Sequence, residues 1–198
     1  MYKSGEHIAI SEIAQRYEVS HMPVREAFQC LKGEGLLELK QYKGARVLSV
    51  SIRDVGHIYD IRMMAEILIL SGVIASDYGD EFLEKLSDIN KKVDFSLPPD
   101  ELNARYQEIN NEFHYFMFTK CENRRAVDMY TFYSNLFRAL KKKYPNTPEE
   151  ISAAYAEHEL IIEALRRRDA ETLHRLVEQH ATRAKHVLIG KMQADCDN

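Results

Sequence analysis

Tryptophan is absent from this 198-residue chain, and glycine (8), proline (5) and cysteine (3) are sparse. With so few helix breakers, long stretches can run uninterrupted as helices. Cys30, Cys121 and Cys196 stand far apart with no CxxC pair, which excludes a zinc-finger module and a secreted disulfide scaffold and fits a cytoplasmic address. No run of about 18 uncharged apolar residues exists to span a membrane, and the opening Met1-Tyr2-Lys3-Ser4-Gly5-Glu6 lacks the apolar core of a signal peptide. Neither sign of charge dominates. With 27 Lys+Arg against 31 Asp+Glu the net charge is -4, so any affinity for a polyanion must be local. There is no internal repeat and no low-complexity tract. What the chain does have is 45% apolar residues, enough to build the core of one large domain or two small ones.

Beyond position 50 apolar residues recur three and four apart almost everywhere, which predicts an all-helical region of about six helices. Their expected spans are 51–77, 80–95, 100–120, 123–143, 147–168 and 169–191. Ser51 with Asp54 forms a variant capping box, Thr147-Pro148-Glu149-Glu150 is a strong start signal, and Asp169 is placed to cap the last helix. The first fifty residues read differently. Ile8, Ile10, Ile13, Ala14 and Tyr17 predict a short helix, and Val24, Ala27, Phe28 and Leu31 predict a second whose apolar face turns inward. Residues 36–50 alternate like two strands around Tyr42-Lys43-Gly44, where Gly44 can take a positive φ. The expected architecture is mainly α, with a small domain over 1–50 and an all-helical domain over 51–198. Residues 1–51 carry seven Lys+Arg and six acids, a net of +1, and the remaining 20 and 25 give -5.

If Val24, Ala27, Phe28 and Leu31 face inward, His21, Arg25, Gln29 and Lys32 lie on the opposite face, with Met22 beside His21 at the helix start. The N-terminal part of such a helix reaches base edges in the major groove, and Arg25 can contact guanine O6 and N7 with both prongs of its guanidinium. The hairpin adds Lys40, Lys43 and Arg46 around Gly44, a tip suited to phosphate or minor-groove contact. An ordinary solvated face remains open on pattern alone.

The run Ser20-His21-Met22-Pro23-Val24-Arg25-Glu26-Ala27-Phe28, then Leu31-Lys32-Gly33-Glu34-Gly35-Leu36-Leu37 and Gly44-Ala45-Arg46-Val47, resembles the winged helix-turn-helix of GntR-family transcription regulators. That family reads S-R-T-P-V-R-E-A-L, L-x-x-E-G-L and G-x-x-V. The resemblance covers residues 4–50 and implies a double-stranded DNA operator as partner, with Arg25 contacting DNA and Gly44 at the wing tip. His21 replaces the family's usual Arg, which implies a different preferred operator. The chain also begins about where the family's first helix has ended. The expectation is a small domain lacking part of its core, so that either further residues precede this sequence or DNA binding is impaired.

Eight histidines are scattered along the chain, and three stand apart. His114 shares a helix face with Asn110 four residues earlier, His158 sits inward beside Ile161, Ile162, Ala164 and Leu165, and His180 lies within the last helix. Histidines from three facing helices can converge inside a bundle, which is how bundle metal sites are built. A set of unrelated polar histidines is the plainer alternative.

Residues 52–190 resemble the FCD ligand-binding domain of the FadR-like branch of the same family. The resemblance rests on Ile58-Tyr59-Asp60-Ile61-Arg62-Met63-Met64-Ala65-Glu66, on Asn110 to His114, and on His158-Glu159-Leu160-Ile161-Ile162-Glu163-Ala164-Leu165 followed by Asp169 and His180. It implies a divalent ion, zinc or nickel, held by Asn110, His114, His158 and His180, with Asn110 in place of the family's Asp and one negative charge fewer. Open coordination positions would accept the carboxylate of a small organic acid, with Arg62 as a second anchor. The other reading of Arg62 is an ion pair with Asp60, Glu66 or a neighbouring helix. Asn123 is a helix cap first and an effector contact second. The expectation is a homodimeric regulator, with no membrane partner, whose operator binding responds to that effector. Two alternatives are a helical metal-binding protein without DNA binding and a metal-dependent hydrolase. Glu112 and Glu157 neighbour the histidines but point about 100° away from them on their helices, and no HExxH, nucleophile elbow or phosphate loop is present.

Overall fold

A computed structural model describes residues 2, 5–33, 36–40, 44–48 and 50–197, without the side chains of residues 138 and 139. Among these residues the chain forms eight helices and one small sheet. The small domain runs β1 (His7–Ile8), α1 (Ile10–Arg16), α2 (His21–Gly33), β2 (Leu37–Lys40) and β3 (Gly44–Val47). The hairpin pairs Leu37 with Val47 and Lys40 with Gly44, and its sheet order is β1-β3-β2.

Strand β1 departs from the sequence expectation, which assigned Ile8 to the first helix. Ile8 pairs with Ala45 of β3 and is buried, while Ala9 holds an extended backbone, so α1 starts only at Ile10. A two-residue strand has too few positions to show a period. Gly44 does take a positive φ, +94°. A Cβ there would also lie 2.3 Å from the Ile8 carbonyl oxygen, so β1 and the hairpin can meet only at a glycine.

Ile8, Ala14, Val24, Phe28, Leu37 and Ala45 form the small domain's core. That core is not closed. Ala27 is exposed rather than inward, and with Ile13, Phe28, Leu31 and Val47 it lines an apolar cleft of about 1000 Å³ whose far wall includes Leu136 and Leu140.

The helical domain comprises α3 (Ile52–Ala75), α4 (Asp80–Asn90), α5 (Pro99–Phe118), α6 (Arg124–Lys143), α7 (Pro148–Arg166) and α8 (Ala170–Cys196). Both capping boxes form, Ser51 with Asp54 and Thr147 with Glu150, and Asp169 accepts a bond from Thr172 N at the start of α8. Each such cap contributes about 1 kcal/mol by satisfying amides that a helix start leaves open. Helix α4 stops at Asn90 rather than residue 95: the Lys92 and Val93 amides bond three residues back, to Ile89 and Asn90, and Asp94 then accepts from the Ser96 amide (2.9 Å) in a turn. Helix α8 runs five residues past the expected 191.

Helix α3 packs between α6 and α8, and α7 packs on α4, α5 and α8. Phe113, Phe118, Ile69, Leu70, Leu86, Ile161 and Leu165 lie within one large core. A second core joins Val55, Tyr59, Phe137 and Leu188. Polar residues are buried among these apolar ones: Glu66, Asn90, Asn110, His114, His158 and His180. Burying that many polar groups is costly unless each has a partner.

Candidate functional site

Helix α2 presents the face expected of it. Val24 and Phe28 are buried, while His21, Met22, Arg25, Gln29 and Lys32 are exposed along the other side. The wing is less free. Arg46 lies in the central strand and donates from Nε to the Gly5 carbonyl (2.8 Å), so part of its guanidinium ties β3 to the N-terminal segment. Lys40 pairs with Glu38 (2.7 Å). Lys43 lies outside the described residues.

The three histidines converge. His114 of α5, His158 of α7 and His180 of α8 each offer a ring nitrogen within 4.8 Å of the others, and their ring centres are 5.1–5.6 Å apart. Every ring turns Nδ1 to a partner. His158 Nδ1 lies 3.1 Å from Asn90 Oδ1. The Asn90 amide nitrogen donates to Tyr155 O and Glu159 Oε1, so Oδ1 is the acceptor and His158 Nδ1 carries the hydrogen. The lone pair is therefore on Nε2, which is buried and has no hydrogen-bond partner. His180 Nδ1 donates to Glu157 Oε2 (2.6 Å). Burial raises the Glu157 carboxyl, but His180 and Arg183 outweigh it and hold it down to about 2, so it is an acceptor near neutrality. His114 Nδ1 lies 2.8 Å from Glu66 Oε1, close but off the direction of a good hydrogen bond.

Histidines with Nδ1 engaged and Nε2 free are in the tautomer that ligates metal, and the acceptors behind them are the supports such ligands need. Burial keeps the His158 imidazole well below its ordinary pKa, with His180 and His114 adding to the effect, and so neutral. His114 is also lowered by burial, against the opposing pull of Glu66. The residues present thus fit a divalent ion. His158 is further fixed by stacking on Phe113, at 4.1 Å between centres and 10° between planes.

Asn110 lines the same cavity as His114 and His180, but its Oδ1 already accepts from Tyr106 (3.0 Å), which leaves it one lone pair. The cavity is about 70 Å³, and Arg62, Glu66, Tyr130, Lys141, Arg183 and Lys191 also border it. Arg62 forms no ion pair among the described residues. It donates to Tyr130 OH (2.9 Å) and lies against the rings of Tyr59, Tyr130 and Phe137, and its Nε is buried without a partner. The Asp60 partner weighed on sequence grounds is instead bound to Lys185 (2.6 Å).

Asn123 caps α6 by accepting from Ala126 N (3.2 Å), and it does not border the cavity. Glu112 turns away to Lys92. Glu157 does point away from His158, its neighbour in sequence, yet this brings it to His180 of the next helix. Glu66, Asn90, Glu157 and Lys141 are the site residues that sequence reasoning missed.

Residues 1–47 match the gntR family of bacterial regulatory proteins, and residues 57–183 match the FCD domain. A winged DNA-binding module joined to that all-helical domain is the build of a transcription regulator, not of an enzyme. The chain belongs to the GntR family, in the branch that carries an FCD domain. It is 27% identical over 194 residues to the uncharacterized HTH-type transcriptional regulator YdhC of Bacillus subtilis, covering 94% of this chain and 85% of that protein. It is 25% identical over 188 residues to the gluconate operon transcriptional repressor of Bacillus licheniformis, covering 91% and 75%. The solved structure of E. coli McbR/YncC matches with a TM-score of 0.70 at 18% identity, covering 94% of this chain and 88% of the other. A putative GntR regulator from Rhodococcus sp. RHA1 matches with the same TM-score at 19% identity, covering 96% and 89%. These two likenesses concern the fold. No helix among the described residues is long and apolar enough to cross a membrane.

Proposed function

We propose that this DNA-binding regulator is a cytoplasmic homodimer whose operator affinity is set by a small organic acid bound at a metal centre in the helical domain. Residues 1–50 read DNA through His21, Met22, Arg25 and Gln29, with Lys43, Gly44 and Arg46 at the wing. Residues 51–198 bind the effector and dimerise. His114, His158 and His180 hold a divalent ion, zinc or nickel, with Asn110 as a neutral fourth donor. Bound there, the ion supplies open positions for an effector carboxylate. Arg62, half-buried, with its Nε unpartnered and no direct ion pair among the described residues, anchors the acid from the opposite side.

The observation that carries this reading is the buried, unpartnered Nε2 of His158 within a cluster whose three Nδ1 atoms all face acceptors. A dimer is supported by exposed apolar side chains on α3, Ile61, Met64 and Leu68, and on neighbouring α6, Met129 and Phe132. Two copies would set two winged domains on half-sites of a pseudo-palindrome. The effector regulates by binding the DNA-competent and incompetent arrangements unequally, a coupling of roughly 1–3 kcal/mol in typical regulators.

Metal analysis by mass spectrometry, with a thermal-shift screen of organic acids with and without chelator, tests the reading. The expected result is stoichiometric metal, an acid-induced shift that chelator abolishes, and metal loss in His158→Ala/His180→Ala. Full metal retention in the double variant, or a shift indifferent to chelator, overturns it.

A further inference from the structure

Four cationic side chains border the cavity: Arg62, Lys141, Arg183 and Lys191. Two are already neutralised. Arg183 binds Glu157 through Nε and a second nitrogen (2.6 and 2.7 Å), and Lys191 binds Glu150 and the Pro145 carbonyl. Arg62 and Lys141 form no ion pair among the described residues. The remaining carboxylate of the lining, Glu66, is turned to the neutral His114; it offsets part of the charge of Arg62 and Lys141 but bonds neither. A divalent ion would raise the positive excess further. Uncompensated charges withdrawn from water are costly, and the cost is relieved by a partner of opposite sign. One carboxylate on the metal leaves Arg62 and Lys141 unsatisfied, whereas a second acidic group satisfies both.

We propose that the effector is a compact dianion, a dicarboxylate of three or four carbons, and that Lys141 together with Arg62 selects it by holding the carboxylate remote from the histidine cluster. This rests on the cavity being the effector site, as argued above. The size is bounded by the enclosure: a cavity of about 70 Å³ suits a short chain with an acid at each end rather than a long or branched one. Arg62 contributes a rigid fork whose Nε still lacks an acceptor, and Lys141 adds a mobile point charge from α6. The ammonium of Lys141 is pushed down to about 7 by burial, with the positive charge of Arg62 adding to the effect. An arriving anion reverses that penalty. A monoacid of the same length leaves it in place.

Isothermal titration of the zinc-loaded full chain with matched pairs tests this, malonate against propionate and succinate against butyrate. The dicarboxylates are expected to bind at least tenfold tighter than their monoacid partners. Lys141→Met should erase that preference, and Lys141→Arg should restore most of it. Equal affinities within each pair, or a Lys141→Met variant that keeps the preference, overturn the dianion assignment and leave the cavity reading standing. If no acid of either kind binds the metal-loaded protein, both fail together.

Discussion

The outer face of α2 and the inner face of α5 obey the same helical spacing, yet one turns its polar residues to solvent and the other buries them. Arg25 and Gln29, four apart, stand exposed on the side of the helix away from buried Val24 and Phe28. Asn110 and His114, also four apart, lie in a core where each is contacted by a residue from its own or another helix, Tyr106 and Glu66. An exposed recognition face needs correct placement and little else, because water satisfies it until DNA arrives. A buried site must draw its support from within the core, which is why three histidines bring Glu66, Asn90 and Glu157 with them. Substitutions in the first region should therefore separate function from stability. In the second they should couple the two.

The largest expected effect is that of Arg25→Ala. A bidentate arginine–guanine contact is worth about 1–3 kcal/mol, and a dimer makes it twice, so operator affinity should fall by roughly 2–6 kcal/mol. The melting temperature and effector binding should stay unchanged, since Arg25 packs against nothing in the core. Operator titration by fluorescence anisotropy against calorimetry of the same preparation measures both halves. Unchanged operator affinity would remove α2 as the reading helix.

Gly44→Ala should come next, and it breaks the comparison from the other side by damaging the small domain's structure rather than its surface. Holding alanine at φ +94° costs about 1–3 kcal/mol, and its Cβ would also press on backbone at Ile8 and Ala9, which cannot rotate away. Operator binding should weaken while metal content and effector affinity persist. Equal loss of all three would mean that the two domains fold as one cooperative unit.

These two residues also show what a sequence can carry. Gly44 was legible because a tight turn between alternating segments calls for a positive φ, and Arg25 because its spacing from Val24 and Phe28 is local. The capping residues Ser51, Thr147 and Asp169 were legible for the same reason. His114, His158 and His180 could be named as a set on the strength of a family resemblance, with inward spacing in support. Their supports could not. Asn90 reaches His158 across 68 positions and Glu157 reaches His180 across 23, and no periodicity encodes such pairs. Lys141 hid within Lys141-Lys142-Lys143, which reads as a basic helix end, although its spacing from Phe137 and Leu140 already placed it near the inward stripe. Strand β1 was missed because the Ile8–Ala45 pairing is a tertiary fact.

A smaller effect comes from pH. Because the free-state Lys141 is held to about 7, it loses its proton as pH rises above that value, whereas a bound anion favours the protonated form. Dianion binding must then take up a proton, and affinity should fall by roughly tenfold per pH unit well above 7, about 1.4 kcal/mol. The charged groups acting on it are Arg62, which lowers its pKa, and Glu66, which raises it; neither titrates in this range. Succinate should show the decline between pH 7 and 9. Butyrate, which does not reach Lys141, should not, and Lys141→Arg should flatten the succinate curve. A parallel decline for both acids would remove Lys141 as the group responsible.

The smallest effect distinguishes a helix cap from a ligand contact at Asn123. Its side chain accepts from Ala126 N at the start of α6 and stands outside the cavity lining. Removing a cap of this kind costs about 1 kcal/mol of stability. Asn123→Ala should therefore lower the denaturant midpoint of the helical domain slightly and leave effector affinity within experimental error, while Asn123→Ser should recover most of the loss because a hydroxyl can accept the same bond. A selective drop in effector affinity at unchanged stability would reverse that assignment. It would mean that the cavity extends to the α5–α6 turn when the acid is bound, and the buried region would then share the adaptability that otherwise belongs to the exposed one.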